Sequence, residues 1–183
     1  MREPSQPPEP VLRSGAAADT GECLTLWVDA CAVRDGVAVS GVADRARPKF
    51  DRAECWTVAE DPGSQILGFV LATTPRSGLP SDPPDAPVVG LVAVAPAAQG
   101  RGIGRALMVA VAAELARRGH RIAVLHVLVE NDPAVRLYSG QGWRPWGRPL
   151  RHPLLHRTTQ SYVIDLESRP AASHDPLSEL EGD

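Results

Sequence analysis

Lysine is almost absent from this chain: Lys49 stands alone against eighteen arginines in 183 residues. A phosphate loop that closes on a lysine therefore has one residue to draw on. Cysteine is scarce as well. Cys23, Cys31 and Cys55 are an odd count without C-x-x-C spacing, which argues against a disulfide framework or a zinc site and for small buried side chains. No histidine pair has metal-ligand spacing on a clear helix, so no metal is expected. There is no apolar run of about eighteen residues, the length a membrane helix needs. The opening Met1-Arg2-Glu3-Pro4 lacks the apolar core of a signal peptide, so a cytoplasmic location is expected. Neither sign of charge dominates: a net charge of −3 implies no general attraction to nucleic acid or to an anionic membrane. The remaining composition, 43% hydrophobic and 22% charged, is that of a folded domain. A single domain is expected over residues 11–167, large enough to bury a core without staples. Residues 1–10, with four prolines, read as a disordered lead-in, and residues 168–183 as an acidic, disordered tail.

The most informative segment is Gln99-Gly100-Arg101-Gly102-Ile103-Gly104-Arg105-Ala106. Before it stands Val88 to Val94, an apolar run of strand length; after it Leu107 to Arg118, Ala-rich and free of Gly and Pro, reads as a helix. Strand, glycine loop and helix together point free backbone N–H groups at an anion, with the helix dipole behind them. Glycine lets the main chain approach such a ligand without a Cβ in the way. A P-loop is excluded because no Lys-Ser/Thr pair closes the loop. A dinucleotide fingerprint fails in both registers. Its third small position falls on Arg105 or on Leu107, and Arg117 to Arg121 supplies no carboxylate for a ribose.

A second segment follows: Asn131-Asp132-Pro133-Ala134-Val135-Arg136-Leu137-Tyr138-Ser139-Gly140-Gln141-Gly142-Trp143. Together, Gln99-x-x-Gly102-x-Gly104 and this Asn-to-aromatic segment, separated by an apolar strand at Ile122 to Val127, resemble the two cofactor motifs of the GNAT N-acetyltransferase superfamily. The resemblance covers about residues 88–145 well and the N-terminal half loosely. It implies an α/β fold with a mixed, splayed central sheet flanked by helices, and acetyl-CoA as cosubstrate without a metal. It also implies direct transfer of acetyl to a primary amine in a ternary complex. The acceptor it implies is a small-molecule or peptide amine, and it is compatible with a homodimer.

Roles for single residues follow from the same resemblance. The amides of Arg101, Gly102, Ile103, Gly104, Arg105 and Ala106 would cradle the pyrophosphate after Gly100, with Gln99 fixing the loop. The alternative is a glycine turn that only joins strand to helix. Arg101 and Arg105 either face phosphate or are solvated. Val92, Ala93 and Val94 would bond the pantetheine and the thioester carbonyl through their main chain, the carbonyl contact being worth about 3 kcal/mol in comparable donors. Asn131 would bond the cofactor or simply form a turn. Tyr138 is the catalytic candidate, a phenol to protonate the departing thiolate, or else a buried aromatic. The general base is not singled out: Glu54, Glu60 and His126 are all open. A non-catalytic acyl-CoA-binding module is the alternative to an enzyme.

Other elements are read from pattern. Val11-Leu12-Arg13 begins a strand, and a helix capped by Asp19 or Thr20 runs to about Arg34 with Cys23, Leu26, Trp27 and Ala30 on its inner face. A short helix is expected near Ala43 to Phe50. Cys55 to Ala59 and Ile66 to Ala72 read as a hairpin around Asp61-Pro62-Gly63. Pro75 to Pro87, with five prolines, is a long loop beside the substrate. Leu107, Val111 and Leu115 share a helix face that Gly119 closes. Asp132 is expected as the N-cap of the next helix with Pro133 as its first residue, and Thr158 to Leu166 as the final strand.

Overall fold

The computed structural model describes residues 9–152 and 156–167. The expected tail lies outside them, as does the expected lead-in apart from its last two residues. The chain order is β1 (Val11–Ser14), α1 (Thr20–Asp35), α2 (Val42–Asp51), β2 (Ala53–Glu60), β3 (Ile66–Thr73), β4 (Val88–Val94), α3 (Ile103–Arg117), β5 (Ile122–Leu128), α4 (Asp132–Ser139), β6 (Arg144–Arg151) and β7 (Thr158–Asp165). All seven strands form one sheet in the order β1-β2-β3-β4-β5-β7-β6. Only β4 and β5 run parallel; the other neighbours are antiparallel. This is the mixed α/β architecture expected.

The two faces of the sheet carry separate cores, because alternate strand residues point to opposite sides. Against one face lie α3 and α4, with Leu107, Met108, Val111 and Leu115 buried on Val70, Ala72, Val89 and Leu125. Burying each of those large side chains contributes about 2 kcal/mol. Against the other lie α1 and α2, with Cys23, Leu24, Leu26 and Ala46 on Phe69, Leu71, Leu91 and Ala93. All three cysteines are free and buried. Among the described residues no helix is long and apolar enough to cross a membrane.

The β2–β3 turn forms where expected: the Asp61 carboxylate accepts from the N–H of Gly63 at 2.8 Å and of Gln65 at 2.9 Å. Gly119, at φ +88°, ends α3 with its N–H on the Ala116 carbonyl. Four local details differ from the expectations or add to them. Helix α3 begins at Ile103, not Leu107, so the last residues of the glycine loop are its first turn. Asp19 is the N-cap residue of α1, as expected, but its side chain bonds no N–H of that helix; its carboxylate accepts from Ala16 N–H and pairs with Arg13. The N-cap of α4 is Asn131, whose side-chain oxygen accepts from Ala134 N–H at 3.4 Å, while Asp132 is the first helical residue. Finally, β6 was not expected, since Pro145, Gly147 and Pro149 read against a strand. It is tolerated because β6 is an edge strand with an irregular register between Trp146 and Leu150.

Candidate functional site

The site is built on a break in the sheet. Strands β4 and β5 pair at only two positions, Val88 with Val124 and Val89 with Leu125, and then part. The other edge of β4 stays bonded to β3 as far as Val94 opposite Gly68. From Gly90 onward β4 therefore offers main-chain N–H and C=O groups to the gap instead of to a neighbouring strand. Gly90 is the extra residue of a bulge: Leu71 faces Leu91 and Ala72 faces Val89, with nothing opposite Gly90. Val92 and Val94 are half-buried and Ala93 is buried on the α1 side. All three lie along the open segment.

The slot leads to the glycine loop. After β4 the chain makes a short turn at Pro96–Ala98, and Gln99 folds back so that its side-chain amide donates to the Val94 carbonyl at 3.2 Å. Gly100 and Gly102 stand at φ +77° and +80°, a backbone conformation that a side chain would strain. Gly102 is the N-cap of α3. The N–H groups of Ile103, Gly104 and Arg105 are the first of the helix, which have no earlier helical carbonyl to bond. Ala106 is different: its N–H already donates to the Gly102 carbonyl at 3.0 Å, so it is committed to the helix and the cradle ends at Arg105. A Cβ on Gly104 would stand 3.5 Å from Leu137 and 3.7 Å from Val94, so the first turn of α3 abuts both α4 and the end of β4. Arg101 and Arg105 are exposed.

Helix α4 closes this side. Tyr138 is 8% exposed and packs in the α3-side core with Trp143, ring centroids 6.4 Å apart. Its hydroxyl has no hydrogen-bond partner among the described residues. Burial pushes the phenol up to about 12, so it stays protonated at neutral pH. The ring of Trp143 is buried and its N–H has no partner among the described residues.

The three candidate bases separate clearly. Glu60 is held by Arg13 at 2.6 Å on the β1–β2 edge. Glu54 faces His120 at 3.2 Å and Arg118 at the far end of α3. His126 alone lies at the gap, one residue past the last β4–β5 pair. Its Nε2 stands 2.9 Å and 3.0 Å from the two carboxylate oxygens of Asp82, which come from the proline-rich loop. Asp82 also accepts from Leu79 N–H at 2.6 Å and from the Ser161 hydroxyl at 3.3 Å. The long loop is thus pinned beside the opening, with a cavity of about 240 Å³ beneath it. A second cavity, about 260 Å³ between α1 and α2, is lined by no residue of the glycine loop.

Lys49 was not anticipated in any role. Its ammonium lies over Gly90 and donates to the Gly90 carbonyl at 3.5 Å. Burial, with the charge of Arg52, draws its pKa below the usual lysine value. His152 is lowered too, first by burial and then by His126 and Lys49 nearby. Among the described residues no group of three or more His, Cys, Asp or Glu could hold a metal ion.

Comparison with known proteins agrees with this geometry. The acetyltransferase (GNAT) family model matches residues 18–143. A mycothiol acetyltransferase of Streptomyces bingchenggensis is 32% identical over 169 residues, 83% of this chain and 52% of that protein, so the chain spans about half the length of this relative. Among solved structures, a GCN5-related N-acetyltransferase from Kribbella flavida is 25% identical with a TM-score of 0.66, covering 86% of this chain and 98% of that one. The Salmonella typhimurium protein yncA, solved with its cofactor acetyl-CoA, shares the fold at a TM-score of 0.67 and 19% identity, covering 92% and 100% of the two chains. A parted β4–β5 pair leading into a glycine-capped helix, in a chain whose greater part fits the family model, places this protein in the GNAT acetyltransferase family.

Proposed function

We propose that this chain is an acetyl-CoA-dependent N-acetyltransferase that moves acetyl to a primary amine by direct attack in a ternary complex. The observation that carries it is the gap between β4 and β5, which ends at a helix N-terminus built from glycines. Acetyl-CoA supplies the acetyl group as an activated thioester. The amides of Arg101, Gly102, Ile103, Gly104 and Arg105 would hold its pyrophosphate, aided by the dipole of α3. The main chain of Val92, Ala93 and Val94 would hold the pantetheine arm, and a main-chain N–H there would stabilise negative charge developing on the carbonyl oxygen by about 3 kcal/mol. The Asn131 side-chain oxygen caps α4, which leaves the NH₂ of the same side chain for the cofactor.

Tyr138 donates toward the leaving sulfur. A phenol near 12 is a weaker acid than a thiol, whose ordinary value is about 8.5, so it stabilises the thiolate by hydrogen bonding and does not give up its proton outright. His126 is the base the geometry favours. With Nε2–H directed at Asp82, Nδ1 carries the lone pair that would accept a proton from the ammonium form of the acceptor. Calorimetry with acetyl-CoA and desulfo-CoA tests the reading: both should bind in the micromolar range, and an amine-dependent release of thiol should follow. A non-catalytic acyl-CoA-binding module predicts the same binding but no turnover with any amine.

A further inference from the structure

The charges around the opening are unevenly matched. Asp35 is taken by Arg34 and Arg157, and Glu130 by Arg157. Asp82 is taken by His126, Ser161 and Leu79. Lys49 has the Gly90 carbonyl, and no described carboxylate pairs with it. An ammonium has three N–H donors, so two are left over, in a partly buried setting where an unmatched charge is costly. The site also makes room for this one lysine. A Cβ on residue 90 would stand 3.0 Å from Nζ, so a side chain there would press directly on the ammonium. In a chain that otherwise uses arginine, the compact point charge fits where a planar guanidinium would not.

The location decides what the leftover donors face. Gly90 is the first residue of β4 past the pairing with β5, and His126 is the first of β5. The four steps along the strand from Gly90 to Val94 span about 13 Å, so Lys49 is remote from the pyrophosphate cradle. The cofactor's phosphates are therefore not its partner. What remains at the closed end of the slot, beside the candidate base, is the acceptor.

From this we infer that Lys49 is an anion-binding residue for the acceptor, which carries a carboxylate or phosphate close to its reactive amine. The inference rests on the acetyl-transfer reading, and deepens it by naming the class of acceptor. Its recognition is charge-assisted hydrogen bonding from a fixed ammonium, which an uncharged isostere of the acceptor cannot accept equally well. Discrimination of about tenfold or more between the two is the expected scale.

Because the chain has a single lysine, its ¹³Cε signal is a direct reporter in the intact protein. The lysine-labelled chain, first shown by calorimetry to bind desulfo-CoA, is titrated with acetate, inorganic phosphate, alanine and alaninamide. The expected result is a saturable shift with alanine and with acetate or phosphate, whichever anion the site accepts, and a response to alaninamide at least about tenfold weaker. Lys49→Met should bring the alanine and alaninamide affinities, read by calorimetry, within about twofold while the desulfo-CoA affinity is unchanged. No shift with any anion, or equal shifts with alanine and alaninamide, overturns the inference. Failure of desulfo-CoA to bind overturns the acetyl-transfer reading instead, and the titration of the free protein still reports on Lys49.

Discussion

Replacing Tyr138 by Phe separates catalysis from packing, because the two sides of this residue are distinct. The ring is 8% exposed and lies in the α3-side core against Trp143, and phenylalanine keeps both the buried area and the ring contact. The hydroxyl has no partner among the described residues, so its removal strands no donor or acceptor. The change in stability should stay within about 0.5 kcal/mol. For a domain of this size that is a shift in Tm of about 1–2 °C. Affinity for acetyl-CoA should not change. Turnover should fall about 10²-fold or more, the usual scale for losing a hydrogen-bond donor aimed at charge that develops in the transition state. Differential scanning fluorimetry, calorimetry and a thiol-release assay measure the three quantities on one preparation. Full turnover by the variant refutes the role of the hydroxyl. A drop in Tm of many degrees that parallels the loss of activity shows instead that the ring's environment was misjudged.

Further outcomes follow from other parts of the molecule. Gly102→Ala forces a side chain into φ +80° and should cost about 1–2 kcal/mol of stability, with weaker acetyl-CoA binding, read by thermal melts and calorimetry. His126→Gln should lower turnover about 10²-fold without altering desulfo-CoA affinity, read by thiol release and calorimetry; full turnover by the variant would remove His126 from the chemistry. Asp35 is held down to about 2, first by its hydrogen bond to Arg34 and then, after burial opposes the shift, by Arg157. Its folded-state value is depressed, so the stability it contributes is present above pH 4 and lost as pH falls through about 2. Asp35→Asn should thus cost on the order of 1 kcal/mol at pH 7 and little near pH 2, as urea midpoints will tell. Burial pushes Cys23 up to about 12 and Cys55 up to about 11, and raises Cys31 as well. A disulfide reagent at pH 8 should leave the native protein untouched and titrate all three thiols in denaturant; rapid native labelling would contradict their burial.

Much of this was legible in the chain because its signals are local. The glycine loop between Val94 and the α3 helix, and the Asn131 to Trp143 segment, are read within stretches of about a dozen residues. Apolar periodicity located β3, β4, α3 and β5. The strand β6 was hidden by Pro145, Gly147 and Pro149, whose cost is relieved only by a position at the sheet edge that the sequence does not display. Asn131 and Asp132 are both good caps, and the choice between them depends on which one leaves the helical backbone first. The pairing of His126 with Asp82 joins residues 44 apart in sequence, from a strand and from a loop without regular structure. The one hint was the length and proline content of that loop. Lys49 carried no local signal beyond being the chain's only lysine, and its relation to Gly90 depends on α2 crossing the β4 bulge.

The central claim is that the opened β4 edge and the glycine-capped helix bind acetyl-CoA. Isothermal calorimetry of the full chain with acetyl-CoA and then with desulfo-CoA tests it most directly. Micromolar binding of both, weakened by Gly102→Glu with Gly104→Glu, is the predicted result. Absence of binding by either at millimolar concentration would reduce both motifs to structural turns and contradict the account.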